Sequence, residues 1–150
     1  MANSSEVAIC NLLYRYAELM DSGDFVAVAE LFRHARVVLD PRNDASVDAD
    51  GILQIWTDSV IRYPDGTPRT KHVTTNPIVE VDEDAGTATC RSYYTVFQQT
   101  ETLALQPIIA GRYHDRFECV EGAWRFTERD YSLVDLVGDL SQHLRMALPE

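Results

Sequence analysis

Basic residues are scarce in this chain. Against 24 Asp and Glu stand 13 Lys and Arg, a formal net charge of −11. A surface of that sign repels phosphate backbones and anionic lipid, which argues against nucleic-acid and membrane-surface partners. Long apolar runs are missing too. Nothing approaches the roughly 20 residues of a membrane span, and the polar N-terminal stretch lacks the pattern of a signal peptide, so a cytoplasmic protein is expected. Cysteine is limited to Cys10, Cys90 and Cys119, an odd set without C-x-x-C spacing. Each sits in an apolar or alternating run, so buried free thiols are expected and a zinc site is not. His34, His72, His114 and His143 show no paired-ligand spacing. The seven glycines are scattered, mostly in turns, and build no phosphate loop. No metal and no cofactor is expected.

What is present is one domain, residues 1–150, long enough to bury a core or surround a pocket. Asn3 followed by Glu6 resembles a helix start. The helix through Met20 carries a polar stripe of Asn11, Arg15, Glu18 and Ser22 opposite Ile9, Leu12, Leu13, Tyr16 and Met20. Asp21 closes it at the border of the two faces. Asp24 caps a short second helix, Phe25 to Phe32; Arg36–Asp40 reads as a strand and Pro41–Ala49 as a polar loop. Asp48 or Asp50 caps a third helix running to about Arg62. From His72 onward the pattern is that of strands. Val73–Val81 and Thr87–Gln98 flank one turn, and Pro107–Cys119 and Ala123–Tyr131 flank another. Alternation puts Tyr113, Asp115 and Phe117 on one face, and Arg112, His114 and Arg116 on the other. The segment Ser132–Leu148 is amphipathic, with a short helix expected after Gly138-Asp139. Helices first and antiparallel strands afterwards predict an α+β fold, a curved, mostly antiparallel sheet wrapped over the helices around an apolar interior.

Two residues on separate elements suggest chemistry. A helix-end carboxylate, Asp21, and a strand-head imidazole, His72, can converge so that the acid holds one ring nitrogen and leaves the other free to take a proton. The plain structural reading competes at each position. A histidine opening a strand is more often a surface or hydrogen-bonded residue. Arg129 can simply pair with Asp115 across neighbouring strands, and Tyr113 and Trp124 suit core packing as well as substrate contact.

Three stretches carry a family resemblance: Leu12-Leu-Tyr-Arg-Tyr-Ala through Asp21-Ser-Gly-Asp-Phe to Leu31-Phe; Arg69-Thr-Lys-His72 with Asn76; and Gly111-Arg-Tyr-x-Asp115, Gly122-x-Trp124-Arg-Phe and Arg129. Together they resemble the SnoaL-like branch of the nuclear transport factor 2-like superfamily, across about residues 5 to 135. Within it the chain looks most like scytalone dehydratase and hexachlorocyclohexane dehydrochlorinase. The resemblance implies a cone-shaped α+β barrel and a homo-oligomer, a trimer before a dimer. It also implies a cofactor-independent lyase or isomerase acting on a small apolar cyclic or aromatic substrate. Carried over by position, the catalytic set is His72, Asp21 and Arg129. Tyr14, Tyr16, Met20, Trp56, Tyr93, Gln99, Tyr113 and Asp115 form the expected pocket. Two departures stand out. The dehydratase's second histidine falls near Gln99 and its tyrosines near Met20 and Asp40; the dehydrochlorinase's lysine falls near Tyr16. The alternatives are a ligand-binding or accessory protein without chemistry, and a structural subunit resembling the small subunit of aromatic-ring dioxygenases.

Overall fold

Three helices precede most of the strands in a computed structural model that describes residues 4–146. The helices are α1 (Ser5–Ser22), α2 (Phe25–Leu31) and α3 (Ala49–Ser59). The strands are β1 (Arg36–Asp40), β2 (Ala45–Val47), β3 (Thr70–Asp82), β4 (Thr87–Gln98), β5 (Gln106–Val120), β6 (Ala123–Asp130) and β7 (Val134–Val137). They form one sheet in the order β2-β1-β6-β5-β4-β3, with β7 joined to β5. All pairs are antiparallel except β1 with β6. The α+β class and the curved sheet over N-terminal helices are as expected. The sheet does not close into a barrel, because β2 and β3 remain as free edges.

The helices bury one stripe each. In α1 that stripe is Ile9, Leu13, Tyr16 and Met20, spaced at helical periodicity, and it meets Val28, Phe32, Trp56, Phe117 and Phe126 in the core. Along β4, Cys90, Ser92, Tyr94, Val96 and Gln98 face inward while Arg91 and Tyr93 face out. The alternation expected in β5 holds, with Tyr113, Asp115 and Phe117 buried and His114 and Arg116 exposed.

Several boundaries differ from the sequence reading. Ser4 caps α1, its Oγ accepting from the Val7 N–H at 3.4 Å; Asn3 lies outside the described residues. The expected loop Pro41–Ala49 contains β2, turned back onto β1 after Asp44, whose φ is +57°. Asp48 is the cap of α3, accepting from the Gly51 N–H at 2.9 Å. That helix stops at Ser59, since Val60 pairs with Leu144 of the C-terminal segment. Where a short helix was expected after Gly138 there is only a turn, and the preceding residues form β7. Leu148 lies outside the described residues. Cys90 is buried, but Cys10 and Cys119 are only half-buried; all three are free. Among the described residues no helix is long and apolar enough to cross a membrane.

Candidate functional site

The end of α1 is fixed by Gly23, which adopts a left-handed conformation (φ +77°) and donates to the Met20 carbonyl at 3.0 Å. A Cβ there would lie 2.1 Å from the Gly66 carbonyl oxygen, so the close approach of the loop leading to β3 also demands glycine. This stop leaves Asp21 in the last helical turn, facing the start of β3. A carboxylate there opposes the helix dipole. Three donors compensate: the Thr70 hydroxyl at 2.9 Å, the His72 backbone N–H at 2.8 Å, and His72 Nδ1 at 2.6 Å.

A carboxylate has no proton to give, so the hydrogen in this bond is the one on Nδ1, and a neutral ring then has its lone pair on Nε2. Both side chains are nearly withdrawn from solvent, His72 at 6% and Asp21 at 11% exposure. His72 points inward because β3 is out of step with its own hydrophobic residues. Val73 is exposed whereas Thr70 and Thr74 turn inward; after a bulge at Asn76 (φ +42°) the phase reverses and Val79 and Val81 turn inward. Arg69, at φ +55°, bends the chain into this stretch.

His72 borders a cavity of about 410 Å³, within the size range of small-molecule sites. Its walls are mostly apolar: Met20 of α1, Ile52 and Trp56 of α3, Tyr94 and Val96 of β4, Ile109 and Tyr113 of β5, Tyr131, and Leu140, His143 and Leu144 from the C-terminal segment. Tyr94 stacks on Tyr113 with centroids 4.4 Å apart. Gly111 admits this pair, since a Cβ there would sit 2.7 Å from the Tyr94 hydroxyl. Tyr16 lies behind the wall, its hydroxyl sharing a hydrogen bond with that of Tyr131. Burial pushes the hydroxyls of Tyr16, Tyr113 and Tyr131 up, so all three stay protonated.

Of the positions expected from sequence, His72, Met20, Trp56 and Tyr113 line this cavity, and Asp21 holds His72 from outside it. Others do not. Tyr14 is 44% exposed and faces a groove on the outer side of the dyad. Tyr93 is 57% exposed on the outer sheet face, because inward positions in β4 are even-numbered. The same parity makes Gln98, not the exposed Gln99, the inward residue. Arg129 and Asp115 are fully buried, joined by two hydrogen bonds of 2.7 and 2.9 Å across the β5–β6 register. The Arg129 guanidinium lies 3.9 Å from the Tyr113 centroid and 4.4 Å from that of Tyr16, so aromatic rings enclose it and it does not line the cavity. Burial disfavours both charges, but the Asp115 carboxylate more than offsets this for Arg129 and holds it charged.

Sequence reasoning missed His143. It enters the cavity from a segment that folds back over α3: the Ile61 N–H donates to the His143 carbonyl at 2.8 Å, and the Tyr63 hydroxyl and Gln98 Nε2 donate to the Gln142 carbonyl. Arg145 Nη1 donates to the Thr57 and Asp58 carbonyls at the α3 C-terminus. The local signal was slight, an Asp139-x-Ser141 turn followed by apolar residues. Burial first, and then the neighbouring His72, push the His143 imidazole down to about 4, with Asp21 opposing. Between an ordinary 6.5 and 4, the unfolded chain binds a proton at this residue that the folded protein refuses. The stability this confers is complete above about pH 6.5 and is lost as pH falls to about 4, up to roughly 3 kcal/mol. Melting of His143→Gln is therefore expected to depend less on pH across that window than melting of the unaltered protein. Parallel pH slopes would contradict the assignment.

The matching family model spans residues 2–130 and describes a SnoaL-like domain. This chain belongs to that family. Solved structures show the same fold. A protein of unknown function with a cystatin-like fold from Nostoc punctiforme matches with a TM-score of 0.71 at 18% identity, over 93% of this chain and 98% of that one. A candidate scytalone dehydratase from Novosphingobium aromaticivorans matches at 0.68 and 20% identity, over 89% and 86%. The β subunit of a candidate aromatic-ring-hydroxylating dioxygenase from the same bacterium matches at 0.65 and 18%, over 91% and 94%. No curated protein matches this sequence. Among the described residues no three His, Cys, Asp or Glu side chains gather as a metal site.

Proposed function

We propose that this SnoaL-like protein is a cofactor-independent lyase or isomerase acting on a small, largely apolar cyclic or aromatic substrate. The observation that carries the reading is the His72 ring at the cavity wall, with Nδ1 held 2.6 Å from Asp21. In this mechanism Nε2 removes a proton from a carbon next to a carbonyl. The C–H electron pair moves toward the carbonyl oxygen, and Asp21 stabilises the imidazolium that forms. A β-substituent then leaves with its bonding pair, taking the proton from His72, or the proton returns to a different carbon. The first outcome is elimination, the second isomerisation.

Exchange of the α-protons of β-indanone in heavy water, followed by NMR, isolates the first step without knowledge of the leaving group. Exchange above the buffer rate is expected, and Asp21→Asn should lose about 10²-fold of it. In one orientation the new amide would oppose its N–H to the His72 backbone N–H. In the other it donates to Nδ1, which moves the ring hydrogen to Nε2 and removes the base. No exchange in the unaltered protein, or full exchange in Asp21→Asn, would remove the proposal. Tight ligand binding with no His72-dependent exchange would favour a binding protein instead.

We also propose a cytoplasmic homo-oligomer, a trimer before a dimer. Val73 and Leu136 lie in one cross-strand row of the outer sheet face, exposed by 41% and 70%, with Tyr93 nearby. Light scattering that returned a monomer mass at micromolar protein would exclude it.

A further inference from the structure

The cavity that His72 borders is not equally covered along its length. Ile52, Trp56 and Val96 in its wall are almost fully buried, and the His72 side chain lies among such covered groups. Ile55 of α3, Val134 of β7 and Met146 of the C-terminal segment line the same cavity yet are exposed by 36%, 37% and 71%. A side chain that both lines a cavity and meets water stands at its mouth. Three elements far apart in the chain therefore place three apolar side chains around one opening. Among the described residues no Lys, Arg, Asp or Glu lines the cavity, in a chain of which 25% is charged. The charged neighbours of the rim are engaged elsewhere. Asp135, beside Val134, accepts two hydrogen bonds from Arg112, and Arg145, beside Met146, donates to the Thr57 and Asp58 carbonyls. A single exposed apolar residue is ordinary, but a rim of them continuous with an apolar cavity marks a place where an apolar group leaves water.

We propose that the substrate is a ring carrying an apolar chain at the end opposite its reactive carbonyl, with the ring in the covered part beside His72 and the chain passing out between Ile55, Val134 and Met146. This rests on the reading of the site as a base acting on carbon, and it adds the class of substituent and the residues that select it. A ligand entering chain first would leave its carbonyl at the mouth, away from His72. A carboxylate or ammonium on the chain would find no opposite charge among the residues of the rim. Methionine suits the outermost position, because an unbranched thioether adapts its shape to chains of different length. The rim thus sorts ligands by what trails behind the ring, and the buried wall by the ring itself.

The test is calorimetric binding of β-indanones that carry a methyl, propyl or pentyl chain on the benzene ring, opposite the carbonyl. In the unaltered protein affinity should rise about threefold per added methylene, the gain from taking that group out of water. The kcat/KM of α-proton exchange should rise in parallel, since the carbonyl end stays beside His72. Met146→Asp and Val134→Asp should each flatten the rise, because the chain then meets a charge; Met146→Leu should keep it. Should Val134→Asp fold poorly, Met146→Asp at the more exposed position decides the matter. A flat or falling series in the unaltered protein would overturn the proposal, and so would an undiminished rise in the Asp variants. A smaller oligomer mass in Met146→Asp with the rise intact would assign the rim to a subunit contact and overturn it as well. The two proposals fail separately. A chain-length gain without His72-dependent exchange upholds the apolar mouth and sinks the lyase reading; His72-dependent exchange with no chain-length gain does the reverse.

Discussion

In His72→Ala, α-proton exchange of β-indanone is expected to fall to the buffer rate, a loss of about 10²–10⁴-fold, the range a positioned general base contributes. Among the described residues no other cavity group is placed to substitute. Tyr113 and Tyr131 are held protonated by burial, and the His143 imidazole, pushed down to about 4 chiefly by burial, is a poor base. Ketone binding should persist, since the apolar walls remain. The fold should persist too: Asp21 keeps its bonds to the Thr70 hydroxyl and to the backbone N–H of residue 72. Added imidazole should return part of the rate by occupying the emptied volume. Exchange in His72→Ala at the unaltered rate, with a normal melting curve, would show that the dyad is structural.

Asp115→Ala is expected to be the most destabilising single change among those considered. It would leave the Arg129 guanidinium, at 0% exposure, without its partner inside a box of Tyr16, Tyr113, Phe32 and Phe126. Stranding a buried charge costs about 3–5 kcal/mol, which for a domain of this size lowers the melting temperature by on the order of 10 °C. Replacing both members, Asp115→Leu with Arg129→Met, should recover most of the loss, because an apolar pair of similar volume avoids the desolvation of two ions. If Arg129 were instead a substrate-contacting group, Arg129→Met would weaken ligand binding more than stability. A single Asp115→Ala that melts with the unaltered protein would refute the structural role.

The helix-end acid and the strand-head histidine were legible because each stands at a marked local boundary: Ser22-Gly23 stops α1, and the run after Arg69 starts β3. The Asp115–Arg129 pairing was legible as the plain alternative, since two strands joined by a tight turn fix which residues face each other. Tyr14, Tyr93 and Gln99 failed as cavity residues for a common reason. Gln99 was placed by positional likeness and the two tyrosines as cavity-shaping aromatics, whereas a side chain's face follows from strand parity, where one residue reverses the face, and from helix phase, where one residue turns it by about 100°. His143 was invisible because its neighbours in the chain say nothing about the cavity it reaches.

Periodicity and turn chemistry in the sequence alone determined the α+β class, the order of the main elements and the inward face of β5, and they marked the helix end and strand head on which Asp21 and His72 stand. These are local properties, carried by spacings of two or of three to four residues. Tertiary structure decided which way His72 points, through the bulge at Asn76 and the bend at Arg69. It also enclosed Arg129 in aromatic rings away from the cavity and brought His143 to the wall beside Trp56. Each of these depends on contacts between elements far apart in the chain, and such contacts are settled by packing rather than by any pattern along it.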